Sequence, residues 1–332
     1  MLSIRNRKCG ERPALRRALL AGMVLAALGA PAASAAPPLA LTDPAVAAFA
    51  RSLPTAPGAW REVATSEMPA ASCTPVAAAD GWLALTAAPP VRMTPPDCPS
   101  RDHRRATMAI GRQVGIFVTN RGQAGPALDA ARLYRAAAGS VTHERWRDVD
   151  PALPDLPVAL LLPAPATPLW DLLSGTMLQA GCLRDPARRR IFDADERRRL
   201  CETLRADGRV HRRQTESDVA GWLAAQGPGA VAFVSFVEFL RLGDAVSPLP
   251  VDGALPTFST VAADQYPVAR TLYLSVGMTD ANAASVLQAA LPLVGEDAIG
   301  PAGALAAQGV VPLPASRRVD LRETLMTMGG AL

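Results

Sequence analysis

The chain has 332 residues, 49% hydrophobic and 19% charged, with a formal charge of +4. That composition can bury a core and excludes an intrinsically disordered chain, and the length predicts two domains or two lobes. The positive charge is concentrated at the start: Arg5, Arg7, Lys8, Arg12, Arg16 and Arg17 face only Glu11, so the first 17 residues carry +5 and the remainder about −1. A remainder so close to neutral predicts no basic stripe for nucleic acid or anionic lipid.

In chain order, the basic block is followed by "ALLAGMVLAALGA" and then "PAASAA". A charged segment, a short apolar run and the Ala33-Ser34-Ala35 site read as a signal peptide over residues 1–35, with cleavage expected after Ala35 because Pro37 disfavours a cut one residue later. An apolar run of about 13 residues is short of the ~20 a membrane span needs. The expectation is therefore an exported, periplasmic protein with no stable membrane insertion once the segment is removed; whether export uses the general or the twin-arginine route stays open.

The cysteines agree with export. Cys9 leaves with the signal, and Cys73, Cys98, Cys182 and Cys201 remain, an even number that predicts two disulfides in an oxidising compartment. Three pairings are open; the local one would close two short loops, each contributing ~3 kcal/mol in the chain-entropy model. No Cys-x-x-Cys occurs, which argues against a metal site, and nothing in the chain calls for a cofactor.

Beyond residue 36 the pattern alternates. "DPAVAAFARSL" (43–53) predicts a helix with Pro44 near its start, and "GWLALTA" (81–87) a strand. Residues 106–120 give two apolar runs broken at Gly111, either two strands or one long bent strand. Helices are expected over 125–139, over 167–181 with Thr167 as N-cap and Pro168 in the first turn, over 193–208, over 217–229 capped by Ser217, and over 280–294. Strands are expected over 156–164, 230–240 (running into a turn of helix) and 269–276. This alternation predicts α/β lobes with largely parallel sheets.

Three separated stretches resemble the phosphate-binding proteins, the periplasmic receptors of phosphate ABC transporters. "VDGALPTFSTVAADQYPVARTLYLSVG" (251–277) matches their "DG-x-x-PT" turn and "YP-[ILV]-x-R-x-LY" strand through Asp252, Gly253, Pro256, Thr257, Tyr266, Pro267, Arg270, Leu272 and Tyr273. "IGPAGALAAQGVVPLPASRR" (299–318) resembles their closing segment, and "WRDVDPALPDLPVALLLPAP" (146–165) a segment before a central strand. The resemblance implies a two-lobed, type 2 periplasmic-binding-protein-like fold with the ligand in the cleft between lobes. Its lobes would comprise residues 36–118 and 262–332 for the first and 119–261 for the second. It also implies the pairs Cys73–Cys98 and Cys182–Cys201.

A phosphate receptor holds a desolvated anion with helix N-termini, hydroxyls, an arginine and an aspartate that accepts the ligand's proton. Here the chain departs from the family. Thr167 matches the family's serine at the second-lobe helix, but Pro168 stands where glycine is expected, Leu169 replaces threonine and Trp170 stands where many relatives have arginine. "LTAAPP" offers only Thr86, with Asp80 as the matching acid; Thr42 and Thr65 are the hydroxyls nearest two further lost loops. Two readings follow. Thr42, Thr65, Thr86, Thr167 and Arg92 could form a rebuilt site for phosphate or a related oxyanion, delivered to an inner-membrane ABC permease. Alternatively the scaffold serves a different ligand or a protein-interaction role in the envelope, with Trp82 and Trp170 lining the cleft. Arg270 and Asp252 read as structural. His103, His143 and His211 are scattered, read as surface residues, and form no catalytic motif, so no enzyme and no catalytic residue is expected.

Overall fold

The computed structural model describes residues 36–53, 59–64, 66–87, 98, 103–213 and 218–330. The signal-peptide reading of residues 1–35, Thr65, Arg92 and Ser217 lie outside these residues.

Ten strands form one sheet: β1 (Leu39–Thr42), β2 (Arg61–Glu62), β3 (Trp82–Thr86), β4 (Arg104–Asn120), β5 (Ala159–Pro163), β6 (Val210–Arg213), β7 (Ala230–Ser235), β8 (Val246–Pro248), β9 (Ala269–Met278) and β10 (Val310–Val311). The order is β2-β1-β3-β9-β4-β7-β5-β6, with β8 and β10 also on β4. Parallel pairing is confined to the two flanks, β2-β1-β3 and β7-β5-β6. The centre is antiparallel: β9 runs against β3 and β4, and β4 against β7. The expectation of largely parallel sheets is corrected accordingly. The sheet is mixed because β4 runs through both halves, antiparallel to β9 in one and to β7 in the other, and β9 in turn runs against β3.

β4 is one bent strand of 17 residues. Its first half pairs with β9 and its second with β7 and β8, and the register shifts between Ala109 and Gly111. Gly111 serves a close approach: a Cβ there would lie 2.5 Å from a Val310 methyl, so its absence lets β10 pair alongside. Gly115 does the same for the Phe233 ring, which a Cβ would meet at 2.0 Å. These two glycines let one strand carry two packed halves.

Each half has its own core. Phe117, Trp146, Leu160, Phe233 and Tyr266 belong to one, and Phe49, Leu83, Ile110, Leu274 and Val286 to the other. β3 and β5 are buried along their whole length, as their unbroken apolar runs require for strands covered on both faces. Cys73 is bonded to Cys98 and Cys182 to Cys201.

Several elements differ from expectation. The helix expected over 193–208 stops at Glu202. Leu204 then bridges to Ala138, and the buried Arg205 donates to the carbonyls of Ala136 and His143, which pulls this stretch out of helical geometry. "VHRR" (210–213), where no strand is expected, is the edge strand β6; three of its four residues are polar and none is fully buried, so its apolar signal is weak. β1 and the C-terminal helix Ala315–Met328 carry no clear sequence signal either. The helix Val219–Gln226 is capped by Asp218. His103 is buried, and His211 packs edge-on against Trp222, so the reading of these two as surface histidines does not hold.

Trp146, fully buried, donates its indole N–H to the Gly229 carbonyl at 2.8 Å. Trp146→Phe leaves that carbonyl without its donor and is expected to cost about 2 kcal/mol of unfolding free energy, read by urea denaturation.

Candidate functional site

Parallel strands deliver their carboxyl ends to the place where an α/β protein binds ligands, because the helices that follow begin there. In this chain β1 ends at Thr42 and leads into the helical segment Pro44–Ser52, while β5 ends at Pro163 and leads into the helix Pro168–Leu173. Between these helix starts lie the middle of β4 and the start of β9, where Gln113 pairs with Arg270 in register.

Arg270 ties the two helix starts together. Its Nη2 donates to the Ala45 carbonyl at 2.9 Å and to the Pro168 carbonyl at 3.3 Å, and its Nε donates to Gln113 Oε1 at 2.6 Å. Gln113, buried, donates its own Nε2 to the same Pro168 carbonyl at 3.0 Å. Burial lowers the guanidinium's pKa, and the charges of Asp171 and Asp43 work against that lowering. Burial raises the Asp171 carboxyl's pKa; Arg270 opposes this, while Glu202 and Asp43 add to it.

The helix N–H groups that an anion would need are largely engaged. Asp43 accepts from Ala45 N at 2.9 Å, Thr167 accepts from Trp170 N at 3.1 Å, and Pro168 has no N–H. Thr167 also donates to the Ala164 carbonyl, and Ala166 just before it sits at φ 62°, a left-handed conformation that costs a non-glycine residue on the order of 1 kcal/mol. What meets at this point is one cation, two carboxylates, two backbone carbonyls and a few hydroxyls.

The structure gathers some of the expected residues and separates others. Thr42 and Thr86 are both buried at the carboxyl ends of neighbouring strands, and Thr42 donates to the Asp43 carbonyl at 3.3 Å. Thr167 caps the second-lobe helix on the other side. Trp170 lies in the core with the Arg212 guanidinium 5.6 Å from its ring centroid, so it packs instead of facing the cleft. Trp82 sits at the start of β3, against Leu41 and Met68, with Arg105 over its ring. Asp80 ends the helix before β3, so the length of the strand, about 13 Å, separates that end from Thr86. Arg112 and Thr271, next in sequence to Gln113 and Arg270, point to the opposite face, where they help line a groove of about 820 Å³. Sequence reasoning missed Gln113, Asp43 and Asp171. Only the pairing of β4 with β9 puts Gln113 beside Arg270, and only the approach of two helices puts both carboxylates near one guanidinium. Among the described residues no cluster of His, Cys, Asp or Glu could hold a metal ion.

Two outcomes follow. Arg270→Met removes three hydrogen bonds and leaves both carboxylates without their cation; an unfolding free-energy loss of about 2–3 kcal/mol is expected from chemical denaturation. Asp171 carries a raised folded-state pKa, so its ionisation weakens the fold: its contribution is best below the ordinary carboxylate range and is lost as pH rises through the folded pKa. Asp171→Asn is therefore expected to raise the melting temperature at pH 7, with the gain shrinking towards pH 4.

No protein-family profile matches the chain, and no curated protein does. Solved structures do resemble it. A possible phosphate binding protein from Planctomyces limnophilus superposes with a TM-score of 0.62 at 13% identity, covering 87% of this chain and 98% of that one. PstS from Borrelia burgdorferi gives 0.52 at 12% identity over 84% and 100%. An ABC-type phosphate transport receptor from Vibrio cholerae gives 0.50 at 16% identity over 83% and 100%. The chain has the two-lobed α/β fold of these phosphate-binding proteins, at a sequence distance that leaves its ligand to be argued from its own cleft.

Proposed function

We propose that this chain is an exported, two-lobed binding protein built on the phosphate-receptor fold, whose cleft is held by its own arginine instead of by phosphate. The observation that carries this reading is the bonding of Arg270. The guanidinium spans the two helix starts and spends its donors on the carbonyls of Ala45 and Pro168 and on Gln113. A doubly charged anion entering there would meet two carbonyls and the carboxylates of Asp43 and Asp171, and would have to displace bonds already made. Each donor lost from a buried anion costs ~1–3 kcal/mol, against the ~8 kcal/mol that micromolar affinity requires. In this reading the protein works in the periplasm through another ligand or a protein partner, without catalysis. The lobes are taken as 36–118 with 262–332, and 119–261; two large cores favour two lobes, although Val114, Ile116, Phe117, Val118, Tyr266 and Val268 from the first set pack in the core of the second.

A second reading keeps phosphate or a related oxyanion as ligand, with an ABC permease as partner. It is favoured by Thr42, Thr86 and Arg270 lying at one end of the sheet, and by a carboxyl, Asp171, whose affinity for a proton is raised. Arg270 would then have to exchange its carbonyl acceptors for the ligand.

Isothermal calorimetry with phosphate at pH 7, on protein unfolded and dialysed to strip bound solute, separates the two. No detectable heat at millimolar phosphate, with the fold intact by circular dichroism, is the expected outcome. Micromolar binding, lost in Arg270→Met, establishes the receptor reading instead.

A further inference from the structure

The segment between Cys182 and Cys201 folds as two short helices, Pro186–Arg189 and Ala194–Glu202, joined by a turn and closed at its base by the disulfide. It carries seven arginines against four acids, a local charge of +3 in a chain whose residues 36–332 sum to about −1. Overall neutrality therefore conceals a concentrated basic patch, and the expectation of no basic surface for anionic lipid does not extend to this segment. Arg184, Arg188, Arg189, Arg190, Arg198 and Arg199 make no ion pair among the described residues. Of the four acids, Asp185 accepts from Ala187 N, and Asp193 accepts from the backbone N–H groups of Asp195 and Glu196 while the charges of Arg199 and Arg197 also act on it. Arg197 donates to the Ile191 carbonyl, which holds the turn against the second helix.

At the tip of that turn stands Phe192, 100% exposed. The next most exposed large aromatic, Phe258 at 63%, rests edge-on against Phe236. Among the described residues no aromatic ring packs against Phe192. Leaving a whole phenyl ring in water forgoes the hydrophobic stabilisation that its burial would contribute.

We propose that this disulfide-closed arginine hairpin is a docking surface for an anionic lipid bilayer, with Phe192 entering the headgroup region and the flanking arginines engaging phosphate groups. The chemistry fits on two independent counts: unpaired arginines complement a negatively charged surface, and an apolar ring at a convex tip enters an interface without needing a groove. An acidic protein partner would use the same charges but would leave the fully exposed ring at the apex without a matching pocket of its own. The surface does not include Arg270, so it stands or falls separately from the cleft.

The test is vesicle flotation of the compact unit Ala35–Leu332, which lacks the apolar N-terminal run. Vesicles of phosphatidylcholine alone are compared with vesicles containing phosphatidylglycerol. Binding is expected to the anionic vesicles only, and to vanish when salt is raised from about 0.1 M to about 1 M as the Debye length falls to ~3 Å. The triple variant Arg188→Gln, Arg189→Gln, Arg190→Gln is expected to bind on the order of a hundredfold more weakly, and Phe192→Ser about tenfold more weakly. These side chains lie outside the core, so equal melting temperatures check that the variants fold. As a separate readout, Phe192→Trp should show a blue-shifted emission with anionic vesicles. The proposal is overturned by no binding to anionic vesicles, by binding unchanged in both variants, or by soluble polyglutamate competing away the hairpin while the tryptophan emission stays that of a ring in water.

Discussion

Arg270 leaves the start of β9 on the side where two helices begin, and its guanidinium has to find acceptors there because burial removes water from it. It finds the carbonyls of Ala45 and Pro168 and the amide of Gln113. One acceptor follows β1, one follows β5, and one lies on β4, so a single side chain joins the two flanks of the sheet to its antiparallel centre. Long central strands make this possible. β4 and β9 pair over most of their length, and the missing Cβ atoms at Gly111 and Gly115 let β10 and Phe233 pack close against β4. The rest of the cleft follows from the cation: two carboxylates are tolerated near each other because the guanidinium lies between their fields, and Asp171 pays for its partial burial in raised proton affinity.

A receptor for a dianion needs the opposite arrangement, with N–H groups converging and their acceptors elsewhere. Here Asp43 and Thr167 accept the N–H groups of their own helices, and Pro168 supplies none. Fold and ligand chemistry are thus separable in this molecule. The architecture matches phosphate-binding structures across more than four-fifths of the chain, while the groups at the helix starts face inward to one another. The chain also has exposed chemistry away from the cleft. The hairpin between Cys182 and Cys201 holds unpaired arginines around an exposed ring, and its disulfide keeps both arginine runs on one short, closed segment.

Much of the architecture was legible because it depends on local pattern. Continuous apolar runs marked β3, β5 and β7, since strands covered on both faces need side chains of one kind. Thr167 followed by Pro168 marked a helix start, since one supplies the cap and the other forgoes only an N–H that would have no partner. β6 was hidden because an edge strand keeps polar side chains on its open face. The end of the helix at Glu202 was hidden because distant partners, Ala136, Ala138 and His143, draw the next residues away. Trp170 was misplaced for a related reason: it follows the N-cap closely, but helical rotation turns it into the core and under Arg212.

The sequence by itself determined the alternation of strands and helices, the two halves, the even set of cysteines and the loss of glycine and hydroxyls at the helix starts. Each of these is a property of composition, or of residues within a few positions of one another. Only the tertiary structure decided that the sheet is antiparallel at its centre, and that Gln113, Asp43 and Asp171 surround Arg270. Those depend on strand register and helix approach between residues about a hundred or more positions apart, where neither composition nor spacing carries information. The polarity of the cleft belongs to this second class, because an arginine is a ligand donor or a structural bridge according to which carbonyls the fold brings within 3 Å of it.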